Sequence, residues 1–131
     1  REGSIRSLTA PQVHKILLIC NPEQTSQIES ALREAFPEYS IARSSDILLE
    51  VMARGITKAA AVQTICSLWD APVSEAVAFG DQYNDVEMLE TVAYGFLMGN
   101  APAELKKRIE RLTEDNDHDG IYHALLRMDL I

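Results

Sequence analysis

The sequence predicts an α/β protein in two parts: a small α+β layer, then a parallel sheet with helices on its faces. Two observations predict this. Short apolar runs are separated by segments of helical period, and the order of these elements changes at a seam near residues 53–57. Before the seam the order is strand, helix, strand, strand. After it, strands and helices alternate, which favours parallel pairing. The length of 131 residues, 47% of them apolar, suits one domain or two small ones.

Residues 1–14, REGSIRSLTAPQVH, show no period and read as a leader or linker. KILLIC (15–20) is a short buried strand. A helix over about 22–35 follows, with Asn21 as N-cap, Pro22 at the first helical position, and Ile28, Ala31, Leu32 and Ala35 at helical spacing. Pro37 ends it. YSIARSS (39–45) and DILLEVMA (46–53) form two strands joined by a tight polar turn. Ile47, Leu49 and Val51 share one face, and Leu48, Glu50 and Met52 the other. Gly55 breaks the pattern.

Thr57 reads as the N-cap of the next helix. Its stripe is Ala60, Ala61, Thr64, Ile65 and Leu68, and residues 70–72 close it. EAVAFG (75–80) reads as a buried strand of the parallel kind. A helix over 85–92, a strand over 94–99 and a helix over 101–112 follow, then the polar loop TEDNDHDG and a final helix over 120–128.

The net charge of −8 argues against nucleic acid or an anionic membrane surface as partner. No apolar run approaches the roughly 18 residues that span a bilayer, and the start lacks signal-peptide form. Cys20 and Cys66 lie in apolar stretches without metal-ligand spacing, so both read as reduced core thiols of a cytoplasmic protein. His14, His118 and His123 show no ligand spacing either. Trp69 reads as a packing residue, and the acidic run TEDNDHD as a solvated loop.

The chemistry concentrates in AFGDQYNDVEML (78–89), at the seam of a strand and a helix. Ligands of open α/β sheets collect at the carboxyl ends of strands. Gly80 permits a close turn. Asp81 presents a carboxylate straight off the strand, an oxygen ligand suited to a hard cation such as Mg²⁺. Asn84 and Asp85 begin the next helix, where free N–H groups favour an anion such as phosphate. The competing reading is local: Asn84 as N-cap, with Glu87 three residues on completing a capping box. Lys58 sits in the first turn of its helix, against the helix dipole. It is there either as an exposed lysine or to meet an anion.

Taken together, GITK (55–58), AFGDQYNDVEML, MGNA (98–101) and NDHDGI (116–121), in this order, resemble the C-terminal half of the haloacid dehalogenase superfamily phosphatases, in the Cof-type branch with an α/β cap. The resemblance runs over about residues 40–126, and KILLIC to SSDILLEVMA is similar to the second half of that cap. It implies a partial Rossmann-like parallel sheet, the C-terminal half of the core, preceded by half of an α+β cap. Residues 1–54 would be leader and cap, and 55–131 core. It further implies a Mg²⁺-dependent phosphatase of small phosphorylated metabolites, with sugar phosphates as one class. In that chemistry an Asp nucleophile forms an aspartyl-phosphate, a second Asp serves as acid and base, and water releases phosphate. By residue, Lys58 would steady the nucleophile and the phosphoryl group, Asp81 would bind Mg²⁺, Asn84 would contact substrate phosphate or hold the loop, and Asp85 would support the metal shell.

The sequence departs from the family at three points. The nucleophile motif, Asp-x-Asp followed by Gly-Thr or similar in the loop of the first strand, does not occur, and neither does the Ser/Thr phosphate motif after it. The usual Gly after the motif Lys is Ala59. With Arg1 rather than Met at the start, the expectation is a piece of a longer phosphatase, inactive alone. Its strand 75–80 would lack a neighbour, and its edge would be filled by self-association, by the missing N-terminal half or by the leader. The alternative is a non-catalytic binding module that reuses the fold.

Overall fold

The computed structural model describes residues 13–131, so most of the expected leader lies outside the described residues. The chain forms two compact units that divide between Ile56 and Thr57.

The first unit contains β1 (Lys15–Ile19), α1 (Thr25–Ala35), β2 (Tyr39–Ser45) and β3 (Leu48–Ala53). The strands form an antiparallel sheet in the order β1-β3-β2. Leu18 stands opposite Leu49, and Ile41 opposite Val51. Leu49 is fully buried and Ile41 nearly so, as the alternating pattern requires. The start of α1 differs from the expected Asn21 cap. Asn21 closes a turn one step earlier, its Oδ1 accepting the Glu23 N–H at 3.2 Å. Thr25, fully buried, opens the helix. Its hydroxyl donates to the carbonyl of Asp46 at 2.6 Å, which pins the β2–β3 turn to the helix start.

The second unit opens with α2 (Lys58–Leu68), whose N-cap is Thr57: its hydroxyl accepts the Ala60 N–H at 3.1 Å. The expected apolar stripe faces the wrong way. Ile65 and Leu68 are 44% and 77% exposed, whereas Ala59 and Cys66 are buried and Val62 packs on the core. Both sets have helical spacing. The set with small residues faces inward, which allows α2 a close approach to α3 (Val86–Thr91). Trp69, expected to pack, is 78% exposed at the end of α2.

β4 (Val77–Gly80) and β5 (Tyr94–Leu97) pair in parallel around α3. Phe79 stacks on Phe96 with ring centroids 5.5 Å apart. The helix expected over 101–112 is not there. Ala101, Leu105 and Ile109 are buried at every fourth residue, a helical spacing, yet only one 3-10 turn forms, at Leu105–Lys107. Beyond Ile109 the open edge of β5 prevails. The Leu97 N–H donates to Arg111 O at 2.9 Å, and the Thr113 N–H donates to Leu97 O at 3.0 Å. The chain thus runs extended as a third parallel line, bridged at Leu97–Leu112. Among the described residues no strand pairs with the other edge of β4. α4 (Gly120–Arg127) ends the unit. The core is Ala78, Val86, Leu89, Val92, Leu97, Ala101, Leu105 and Ile109. Cys20, half-buried, and Cys66, buried, are both free thiols. Among the described residues no helix is long and apolar enough to cross a membrane.

Candidate functional site

The site begins where β4 runs out. After Gly80 the backbone turns through Asp81 and Gln82 into a 3-10 turn, Tyr83–Asp85, that feeds α3. One side chain organises this turn. Asp85, only 2% exposed, accepts the N–H of Asp81 at 2.9 Å and that of Gln82 at 3.0 Å, both on Oδ2. Its Oδ1 accepts from the ammonium of Lys58 in a short ion pair. A buried carboxylate requires partners of this kind, since an unpaired one is expensive to desolvate. The pair also accounts for a cation in the first turn of α2: Lys58 answers a buried anion, not the helix dipole. Gly80 makes the packing possible, because a Cβ there would stand 2.7 Å from the Asp85 Cγ.

The expected cap at Asn84 with Glu87 does not form. Gln82 is the N-cap, and its partner three residues on is Asp85: the Asp85 carboxylate accepts the Gln82 N–H at 3.0 Å, and the Asp85 N–H donates to the Gln82 carbonyl at 3.0 Å. Asp85 wins this role because its carboxylate is buried under the turn, whereas Glu87 is exposed. Asn84 is left differently occupied. Its Oδ1 is buried and has no hydrogen-bond partner among the described residues.

Asp81 is half-buried at the strand end, and its Oδ2 accepts from Asn100 Nδ2 at 2.8 Å. Asn100 lies in the turn after β5, at the same end of the parallel pair. The Met98 N–H donates to Gly80 O at 2.9 Å and so ties that turn to the end of β4. Sequence reasoning quoted MGNA but gave Asn100 no role. The signal was its position just past the strand neighbouring β4. Lys58, Asp81 and Asp85 are thus linked, directly or through backbone, in one network, and Asn100 extends it.

The acidic run after Leu112 is not simply solvated. Glu114 pairs with Arg127 at 2.9 Å, and hydrogen bonds from Arg127 first, then from its surroundings, hold its carboxyl down at about 2. Asp115 lies 2.5 Å from His118 Nδ1, and that hydrogen bond lowers its carboxyl too. The buried Thr113 hydroxyl donates to Gly120 O at 2.6 Å. Asp117, His118, Asp119 and Gly120 spell Asp-x-Asp-Gly, but they form the turn entering α4, with Asp119 left-handed at φ 50°, and not a strand end.

No three His, Cys, Asp or Glu side chains among the described residues converge to hold a metal. The donors at the end of β4 nevertheless suit Mg²⁺: one carboxylate whose Oδ1 takes no hydrogen bond among the described residues, and the buried Asn84 amide oxygen, which has no hydrogen-bond partner among them. Mg²⁺ accepts one or two protein oxygens and keeps several waters.

Residues 4–125 match the family model of haloacid dehalogenase-like hydrolases. A Haemophilus influenzae protein bearing a phosphatase name is 43% identical over 108 residues, 82% of this chain and 41% of its own length. The Bacillus subtilis 5-amino-6-(5-phospho-D-ribitylamino)uracil phosphatase is 30% identical over 126 residues, 94% of this chain and 47% of its own. Among solved structures, a haloacid dehalogenase-like hydrolase from Bacteroides thetaiotaomicron superposes with TM-score 0.70 at 30% identity, over 98% of this chain and 49% of that one. A subclass IIB sugar phosphatase of the same superfamily superposes with TM-score 0.78 at 26% identity, over 91% of this chain and 44% of that one. The chain therefore spans less than half the length of these relatives, and it belongs to the haloacid dehalogenase-like hydrolase family.

Proposed function

We propose that this chain is the C-terminal part of a cytoplasmic, Mg²⁺-dependent phosphatase of small phosphorylated metabolites, sugar phosphates among them. Residues 1–54 would carry leader and half of the cap, and 55–131 half of the core. One observation carries the reading: the Lys58 ammonium and the Asp81 backbone are held on the same buried carboxylate, Asp85, at the carboxyl end of β4. A fixed cation and a carboxylate that can take a metal, side by side, are what phosphoryl transfer needs, since its catalysis is largely positioning and charge neutralisation. When bound, Mg²⁺ supplies positive charge to phosphoryl oxygens.

The residues divide the work. Lys58 presents its ammonium to the attacking carboxylate and the phosphoryl group. Asp81 offers an oxygen to Mg²⁺. Asp85 supports that shell from behind, fixing Lys58 and the Asp81 backbone. Asn84 contacts substrate phosphate or holds the loop. The attacking carboxylate comes from outside these 131 residues, because no Asp-x-Asp among the described residues sits at a strand end. The names of relatives span a ribitylaminouracil phosphatase, an HMP-PP phosphatase and a sugar phosphatase, which supports a small phosphorylated substrate and singles out none.

Phosphate release from a panel of sugar phosphates by the full-length protein tests this. The expected result is release that needs Mg²⁺ and is lost in Asp81→Asn and Lys58→Ala. Release unchanged by a chelator and by both substitutions would refute the proposal. The 131-residue chain alone is expected to release none.

A further inference from the structure

We infer that Asn100 is a positioning residue for Asp81, turning one carboxylate oxygen aside so that the other faces the cation. The inference rests on the reading of Asp81 as the Mg²⁺ ligand. A carboxylate on a strand end can rotate about two side-chain bonds, and a partner that claims one oxygen removes that freedom. The Asn100 amide does this, donating to Asp81 Oδ2 at 2.8 Å. Among the described residues the Asp81 carboxylate has no other side-chain hydrogen bond.

Asn100 is itself held firmly enough to serve. The Met98 N–H donates to Gly80 O at 2.9 Å, the Gly99 N–H to Glu114 O at 3.2 Å, and the Ala101 N–H to Met98 O at 3.0 Å. The Lys106 ammonium donates to Gly99 O. The turn that bears Asn100 is thereby fastened both to the end of β4 and to the third extended line. The residue type also fits. An amide donor is neutral, so it orients a carboxylate without opposing a bound cation, as a lysine or arginine would.

The test is NMR of the 131-residue chain titrated with Mg²⁺ alone. The Asp81 backbone amide and the Asn100 side-chain NH₂ should move together, with one dissociation constant. Asn100→Ala should weaken that constant about tenfold while the exchange protection of the Leu97 amide stays unchanged. Asn100→Gln, which keeps the amide, should recover part of the loss. Asp81→Asn should abolish the response of both groups. If Asp81→Asn abolishes it but Asn100→Ala leaves the constant unchanged, the role of Asn100 is overturned and the metal reading stands. If Asp81→Asn binds Mg²⁺ like the wild type, or Mg²⁺ shifts neither group, the metal reading falls and the inference with it. Should Asn100→Ala fail to fold, the wild type decides. An Asn100 side chain unmoved by Mg²⁺ that saturates the Asp81 shift overturns the proposal.

Discussion

Replacing Lys58 by Met removes the only side-chain cation that, among the described residues, pairs with a carboxylate that is 2% exposed. Breaking a buried ion pair costs about 3–5 kcal/mol, and an exposed one about 0–1 kcal/mol. Here the carboxylate side is buried but the lysine side chain is 50% exposed, and two backbone N–H bonds remain on Oδ2. The cost therefore falls between the limits, at about 2 kcal/mol. Hydrogen exchange of the Leu97 amide, bonded to Arg111 O at 2.9 Å in the fully buried centre of the sheet, reports the opening of this unit. At about 1.4 kcal/mol per tenfold, its exchange should quicken roughly 30-fold. Asp85→Asn should cost a similar amount, because one amide oxygen cannot serve three donors and its NH₂ points at an ammonium. The double variant should cost less than the sum by about 1–2 kcal/mol, since each change removes the group left stranded by the other. Additive costs, or a Lys58→Met chain whose Leu97 amide exchanges within threefold of wild type, would refute the argument that the two groups form one buried unit.

Gly80→Ala should destabilise the second unit by about 1–3 kcal/mol, because the added Cβ meets the Asp85 side chain. Urea unfolding with an unchanged midpoint would count against it. Glu114 sits at about 2 when folded, against an ordinary 4.5. Between these values the unfolded chain holds more protons, so stability rises with pH across the window and is lost as pH falls through it. Glu114→Gln should flatten the melting temperature between about pH 2 and 4.5, and an unaltered slope would contradict the assignment. Mg²⁺ should bind the isolated chain weakly, through water for the most part; calorimetry finding a micromolar site would be decisive against this. The edge of β4 that no described strand pairs with, flanked by Val77 and Phe79, should draw a second strand. Its occupant would be another copy, the leader or an N-terminal half. A monomer whose 76–79 amides exchange fast while the rest is protected would exclude all three.

Local chemistry was legible in the sequence, and long-range competition was not. Thr57 caps α2 as read, because an N-cap acts within three residues. The turn after 45 was readable from pattern, and its strands lie at 39–45 and 48–53. Lys58, Asp81 and Asp85 stood out as charged residues at element ends, and the structure joins them. Which residue caps the turn after β4 was decided by burial of Asp85, which no local pattern reveals. Ala101, Leu105 and Ile109 do recur at helical spacing, but hydrogen bonds to β5 override the expected helix over 101–112. Two stripes on α2 had equal claims, and only contact with α3 chose between them. Asn100 lies 19 residues from Asp81, a separation that a shared sheet edge closes and sequence spacing does not show.

Asp85 has a consequence for how such a protein can diverge. Lys58 and the backbone of Asp81 hang from one buried carboxylate, and a Cβ added at Gly80 would stand 2.4 Å from the Asp85 Cβ. A mutation that moves any one of these four disturbs the others, so they form a single heritable unit. On the proposed function, selection for new substrates would act elsewhere, on side chains that meet the rest of the substrate. The knot at the end of β4 would stay fixed while specificity drifts around it.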